Sequence, residues 1–578
     1  MRAFLFGLVA VLFAATSSAS LVTSAMTGRV RSEGLPAAGV TVTASSPLLQ
    51  APRSTTTSRR GTWWIGSIPP GAYEVTFSGP GLQSLTRRVV VELARVARAD
   101  ASLEPSEDEE SVTSTVRNIA VTDTTAITTH FDDSTLDRLP LRRDATTVAD
   151  TAPGGADDPL LFAGGIVAHT SLLGEEAVEQ ITVIRGAPPI EYDRYGSSVV
   201  VGQLRSGRTA PYLSLRGTLS HDEWMPGERS VSGKHGLRHL LETASGGRLF
   251  GDRLSLFAAG WSGDDASAGL STLRGLTFNA AAQLSPSHNI GATWIDSTAN
   301  VDTIDASTSV RAIRYTGVSG AFVTQAVASR SENDLDVFSR RDDLIAARTA
   351  FRISDHVISA GFDAWNTSDE DRASVFLADR WSARRWTVDA GVRHEIGDSD
   401  GHTAPRIALT WDLLGNGRRA LTGSHGHYLD EAHDDSRLVR SSSLGFASAI
   451  GMSGTARVDI IRRSVSGVIR NGVEGEARYR MFDRFEAGGN YTWFDRDSST
   501  ELRHKSNLWL GAAFPFRDRD ELGVTLLYRF RDEQLRSHVA DLGLRYALPV
   551  RRMRLTVAAD VLDLMDDVGG RAWVRLTM

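Results

Sequence analysis

The chain has no cysteine among its 578 residues. That excludes a disulfide framework, a thiolate metal site and a cysteine nucleophile. Long apolar runs are also missing after the first 19 residues: no later segment holds the 18 or more apolar residues of a membrane helix. If the mature chain lies in a membrane, it must lie there as a closed barrel. Positive charge is not in excess, since 63 Lys and Arg against 70 Asp and Glu leave a net charge of -7. Nucleic acid is therefore not an expected partner, because that affinity rests on neutralising phosphates with a basic surface. A nucleophile elbow, a phosphate-binding glycine loop and a zinc-protease helix motif are absent, so neither an enzyme nor a bound cofactor is expected.

What the chain does contain is a parity rule in its last 370 or so residues. Turn signals alternate between short basic ones, at 250–253, 382–385, 416–419, 481–484 and 549–552, and acidic ones, at 262–265, 367–371, 398–400, 430–435 and 494–497. Roughly ten-residue strands separate them, the pattern of a barrel whose two rims differ. Outer-membrane barrels have short periplasmic turns and longer external loops, so the alternation also orients the chain.

The strands alternate with period two, as expected when one face meets lipid and the other a wet lumen. Val473, Gly475, Ala477, Tyr479 and Met481 share one face, and Glu474, Glu476, Arg478 and Arg480 the other. Phe485, Ala487, Gly489, Tyr491 and Trp493 alternate in the same way with Glu486, Gly488, Asn490 and Thr492. A soluble sandwich with one solvated face would show this in any single strand. Sustained over about 22 candidate strands, it predicts an antiparallel transmembrane barrel across 207–578. A mean hydropathy of -0.17 agrees with this, because lumen residues dilute the apolar face. Trp224, Trp261, Trp294, Trp365, Trp411 and Trp509 suit an interfacial girdle where they fall near strand ends, core packing being the alternative for each.

The predicted fold class is all-β, in several parts. Residues 1–19 read as a secretory signal: Arg2, an apolar stretch from Phe4 to Ala15, then Ser17-Ser18-Ala19. Over 21–104, Gly and Pro punctuate short strands rich in Val, Thr, Tyr and Phe. Gly28-Arg29-Val30, Pro36 to Val42, Arg60-Gly61-Thr62-Trp63 and Ile68 to Val75 resemble a carboxypeptidase regulatory-like domain, a small β-sandwich. That family is similar to carbohydrate-binding-like folds, which allows an oligosaccharide ligand as well as a spacer role.

An acidic linker is expected at 105–114. Residues about 115–206 resemble the plug of a TonB-dependent outer-membrane receptor. The resemblance rests on Leu139-Pro140-Leu141-Arg142-Arg143-Asp144, on Val178 to Ile184-Arg185-Gly186, and on Glu191-Tyr192-Asp193-Arg194-Tyr195-Gly196. Ala404 to Asp412 and Gly423 to Tyr428 resemble the barrel of the same receptors. In that family the energy-coupling box lies near Ser111, Val112, Thr113, Ser114, Thr115 and Val116, a segment able to add as a strand to a partner's sheet. An ordinary linker strand reads the same way. The plug is short, Pro153-Gly154 stands where Asp-Gly is expected, and Asp193 stands where the family usually has Gly.

Two charged clusters stand out. Arg185 in the plug and inward-facing Glu474, Glu476, Arg478 and Arg480 could pair across the lumen, or the wall residues could simply be solvated. His425 and His427, two apart on a strand, precede Asp430, Glu431, His433, Asp434 and Asp435; no third ligand is set by spacing, so a solvated acidic loop is expected and no metal is assigned. The resemblance implies a protein of the cell outer membrane, in contact with lipid, that takes up a scarce small solute or oligosaccharide with a TonB-type energy-transducing complex. A structural or adhesive barrel without active uptake is the second expectation, and a secreted carbohydrate-binding protein the third.

Overall fold

The computed structural model describes residues 24–578 except 47, 50, 92–95, 106–110, 115–126, 144, 154–160, 163–166, 169–172, 186–188, 193–197, 209, 222–236, 252, 266–269, 286, 302–303, 320–321, 336–337, 368–370, 384, 398–400, 431–436, 452, 466–467, 482–483, 496–503, 516–519, 533–535 and 566–568. The proposed signal, Thr115, Val116, Gly154, Gly186, Asp193, Arg194, Gly196 and His433 lie outside the described residues.

Two facing sheets build the N-terminal unit. One centres on Ser24–Ser32, paired with Leu35–Pro36, Thr62–Ile68, Val96–Arg98 and Ala101–Leu103; the other runs from Arg53–Thr56 through Thr41–Ser45 and Gly71–Gly79 to Leu82–Val91. Alternating residues of both sheets meet in one core of Met26, Val30, Val42, Trp63, Tyr73, Val75 and Phe77. Trp63 stands edge-on to Phe77, ring centres 5.7 Å apart. Gly28 is required where the strand passes this ring, since a Cβ there would sit 2.0 Å from the Ala99 carbonyl oxygen.

The expected linker differs at its end. Ser111–Ser114 forms a strand added in parallel to the edge of Leu82–Val91, with Ser111 opposite Ser84 and Thr113 opposite Thr86. The acidic run stops at Glu110, and the uncharged, β-branched stretch that follows can complete the hydrogen bonds of an open sheet edge.

The segment expected to be the plug is a mixed sheet in the order Ile127–Phe131, Val178–Arg185, Ser198–Leu204, Leu161–Phe162 and Val167–Ala168, with helices at Asp133–Arg138 and Ala145–Asp150. Asp132 caps the first helix, its carboxylate accepting from the Thr135 amide at 2.7 Å. Every residue of Val178–Arg185 is buried.

Twenty-two antiparallel strands form a closed barrel, the first, Tyr212–His221, pairing with the last, Gly569–Thr577. Closure leaves no strand edge unpaired. The first strand presents apolar residues outward and polar ones inward: Leu213, Leu215 and Leu219 are exposed, whereas Ser214, Arg216, Thr218 and Ser220 are buried. The turns keep the expected parity. At 412–419 the Asp412 carboxylate accepts from the Gly415 and Gly417 amides, both at 2.8 Å, while those glycines take φ of 73° and 76°. Several outer connections are short as well, Val301 and Ile304 being separated by two residues.

The girdle expectation needs correction at several tryptophans. Trp261 and Trp509 point inward and pack on the plug, with Trp365 partly buried against the same core. Trp294 points outward, and Trp411 stacks on Trp386 near the short-turn rim at 5.1 Å. The inward rings lie on lumen-facing positions of their strands, where a large flat side chain fills the gap between wall and plug. Trp224 lies outside the described residues.

The N-terminal unit sits under the short-turn rim. Arg60 pairs with Asp355, Arg352 donates to Thr62 at 2.5 Å, Arg98 lies 3.8 Å from Asp412, and Arg248 donates to the Leu49 carbonyl at 2.8 Å. All four barrel residues lie at or next to short turns. The unit therefore docks against that rim.

Candidate functional site: the plug and barrel wall

The plug is tied to the wall by charge on several sides. Arg185 ends the buried strand Val178–Arg185 and reaches the wall strand Val468–Met481. Its guanidinium donates to Glu474 at 2.5 Å and to the Thr129 hydroxyl at 2.9 Å, with Glu476 at 3.7 Å. Thr129 in turn donates to Glu476 at 2.7 Å. The Arg185 and Glu474 side chains are only 2% and 1% exposed. Arg478 donates to the His130 carbonyl at 3.0 Å and lies over Phe131 and Trp509. Arg480 does not reach the plug directly; it shares Glu486 with Arg138 of the plug helix, each at 2.9 Å. Outward on the same wall strand, Tyr479 is 40% exposed.

Of the plug motif, Ile184 is buried within the sheet, and Glu191 accepts from Arg348 of the wall at 3.0 Å. Tyr192 is buried, and its carbonyl, with that of Pro189, accepts from Arg406. Arg406 also stacks over Tyr428, 4.2 Å from the ring centre. The wall strands bearing Arg406 and Tyr428 are those of the barrel motif.

A second cluster was not anticipated. Glu175 and Glu176, on a short 3-10 turn, meet wall arginines: Glu175 pairs with Arg216 at 2.7 Å and Arg571 at 3.3 Å, and Glu176 with Arg575 at 3.1 Å. Arg575 also pairs with Asp137 at 2.6 Å, and plug residues Arg143 and Arg205 bind Asp133. Gly174 admits the turn against the wall, since a Cβ there would meet the Trp261 ring at 2.7 Å. Burial pushes the Glu175 and Glu176 carboxyls up, but the surrounding arginines prevail and hold both at about 2. The one available signal was Arg571-Ala572-Trp573-Val574-Arg575, whose alternation puts both arginines and Trp573 on the lumen face.

Asp150 makes a third tie, to Lys505 at 2.9 Å and Arg531 at 2.6 Å. Burial again opposes ionisation, and the two cations hold its carboxyl at about 2. Asn490 and Asn507 donate to the adjacent Thr151 carbonyl at 2.7 and 3.1 Å.

His425 and His427 share a face, ring centres 5.6 Å apart; His425 is exposed on the outside of the wall and contacts Ser442 at 2.8 Å. Residues 431–435 lie outside the described residues. Among the described residues no three His, Asp or Glu side chains converge as a metal site.

Residues 25–104 match the model of the carboxypeptidase regulatory-like domain. No curated protein sequence matches the chain. Among solved structures, the siderophore receptor PirA from Pseudomonas aeruginosa is 14% identical with a TM-score of 0.65, the alignment covering 78% of this chain and 98% of that one. PirA from Acinetobacter baumannii is 12% identical, TM-score 0.63, covering 79% and 98%. BauA, the ferric preacinetobactin receptor of Acinetobacter baumannii, is 11% identical, TM-score 0.59, covering 79% and 96%. The fold is that of the siderophore receptors. The all-β class, the barrel of 22 strands and the regulatory-like domain ahead of it are thus as expected. A closed barrel of this size with an apolar exterior belongs in the outer membrane.

Proposed function

We propose that this protein is an outer-membrane receptor that binds a scarce small solute outside and admits it when a TonB-type complex pulls on the plug. The observation that carries this reading is the set of charged ties between plug and wall, with Arg185 to Glu474 at its centre. A plug fixed by buried pairs blocks the lumen at rest, so passage requires work on the plug, and an energy-transducing partner would supply it. The fold of siderophore receptors makes ferric chelates the first solutes to try, before oligosaccharides and vitamins.

The second reading is a structural or adhesive barrel without uptake. It is favoured by the short outer connections and by the pairing of Ser111–Ser114 with the chain's own sandwich rather than an exposed position. Accumulation of ferric chelates by a deletion strain carrying the gene, with and without a working inner-membrane energy complex, separates the two. Accumulation that needs both supports the receptor; growth and accumulation indifferent to the gene across all three solute classes overturn it.

A further inference from the structure

Beneath the plug, the N-terminal unit and the wall line a half-open pocket of about 260 Å³. Arg53 contributes from the sandwich, Gln203 and Ser206 from the end of the plug, and Arg248, Asn279 and Arg314 from the wall. Three guanidiniums and several side-chain amides line it, and no Asp or Glu does.

That imbalance departs from most of the charged ties between plug and wall. Arg185, Arg216, Arg531, Arg571 and Arg575 each meet a carboxylate within 3.3 Å. A neighbouring pocket of about 80 Å³ at the same junction gathers Arg29, Arg98 and Arg352 but sets Asp100, Asp355 and Asp412 among them. Arg314 instead crosses Gly291, where the missing side chain leaves room, and donates at 2.7 Å to the Asn279 amide oxygen. Arg53 has no side-chain hydrogen bond or ion pair among the described residues, and burial lowers its proton affinity with only the Tyr73 hydroxyl acting the other way. Guanidiniums present forked donors that match oxyanions, and gathered in one recess with no carboxylate among them they favour an anion.

We infer that this pocket is a binding site for a small oxyanion, a carboxylate or phosphate bearer, placed on the periplasmic side of the plug. A solute that passes the plug along this wall would meet it before leaving. Binding itself needs no energised uptake, so its failure and the failure of the receptor reading are distinguishable.

The test uses the purified full chain in neutral detergent and equilibrium dialysis with two radiolabelled probes, citrate and inorganic phosphate. At least one should bind saturably at one per chain. Arg53→Met and Arg314→Met should each weaken that binding by about tenfold or more, the size expected for loss of a charge-assisted hydrogen bond. Arg314→Lys, which keeps the charge, should retain part of it, and Arg554→Gln, at an exposed short-turn position, should change nothing. Arg53 lies in the sandwich, so its variant stands even if a wall substitution disturbs the barrel. Which probe binds tells carboxylate from phosphate. No saturable binding of either, or binding that survives both Met variants, overturns the site.

Discussion

Arg185 of the plug and Glu474 of the barrel wall, 289 residues apart in sequence, form a pair from which water is almost wholly excluded. Removing one member of such a pair strands the other, which typically costs about 3–5 kcal/mol, whereas an exposed pair contributes about 0–1. Glu474→Ala should therefore loosen the plug by an amount in the higher range. Arg480→Ala, whose group contacts the plug only through a shared Glu486, should have a smaller effect. Urea titration followed by Trp emission, with a Trp509→Phe background identifying the part due to the ring that packs on the plug, measures both. Equal and small shifts in the two variants would show a wet, non-restraining contact.

Acid should release the plug in a defined window. Glu175, Glu176 and Asp150 are held at about 2 in the folded protein, against about 4 in an unfolded chain. A lowered folded value means the stabilisation is complete above the unfolded value and lost as pH falls through the folded one. The contribution of these three groups, followed by Trp emission, should stay constant from pH 7 to about 5 and be lost between about pH 4 and 2. Replacing Glu175 and Glu176 with Gln should flatten that transition. A plug transition centred near pH 6 would assign release to other groups.

The barrel was legible because its information is local. Alternation places Glu474 inside and Tyr479 outside without knowledge of any partner, and the turn at Asn416-Gly417 carries its own chemistry in Asp412 and two glycines. The ties to the plug were legible only in part. Arg185 and the acidic wall strand could be singled out, but which carboxylate meets which guanidinium depends on how deep the plug sits. Glu175 and Glu176 look like a solvated turn in sequence, and are buried only because Arg216, Arg571 and Arg575 converge on them from both ends of the barrel sequence. The docking of Ser111–Ser114 was invisible for a similar reason: four uncharged residues can join any open edge, and pattern does not name the edge.

Orientation has its own test. The N-terminal unit contacts Asp355, Asp412 and Arg248 at the short-turn rim, which places that rim on the periplasmic side if the longer connections face outward. Epitope tags inserted after Asp398 or Asp434 should be labelled on intact cells, and one after Asn416 only after the outer membrane is opened. Labelling in the opposite sense would invert the molecule and remove the N-terminal unit from the periplasm.

The segment Ser111–Ser114 must leave its edge if a partner sheet is to take it. An edge strand holds by main-chain hydrogen bonds, and the same bonds cannot serve two sheets at once. Thr86 and Thr113 face each other in register, and adjacent strands bring Cα atoms within the roughly 4.4–6.8 Å that a disulfide spans. Because the chain has no cysteine of its own, Thr86→Cys with Thr113→Cys can form no other bridge within the chain, and non-reducing gels separate it from bridges between copies. The oxidised double variant should bind solute at the cell surface but not accumulate it, a reducing agent should restore accumulation, and each single variant should behave as the parent. Accumulation at the parental rate while the bridge is intact would mean that force enters the plug elsewhere, and the structural reading of this barrel would then lead.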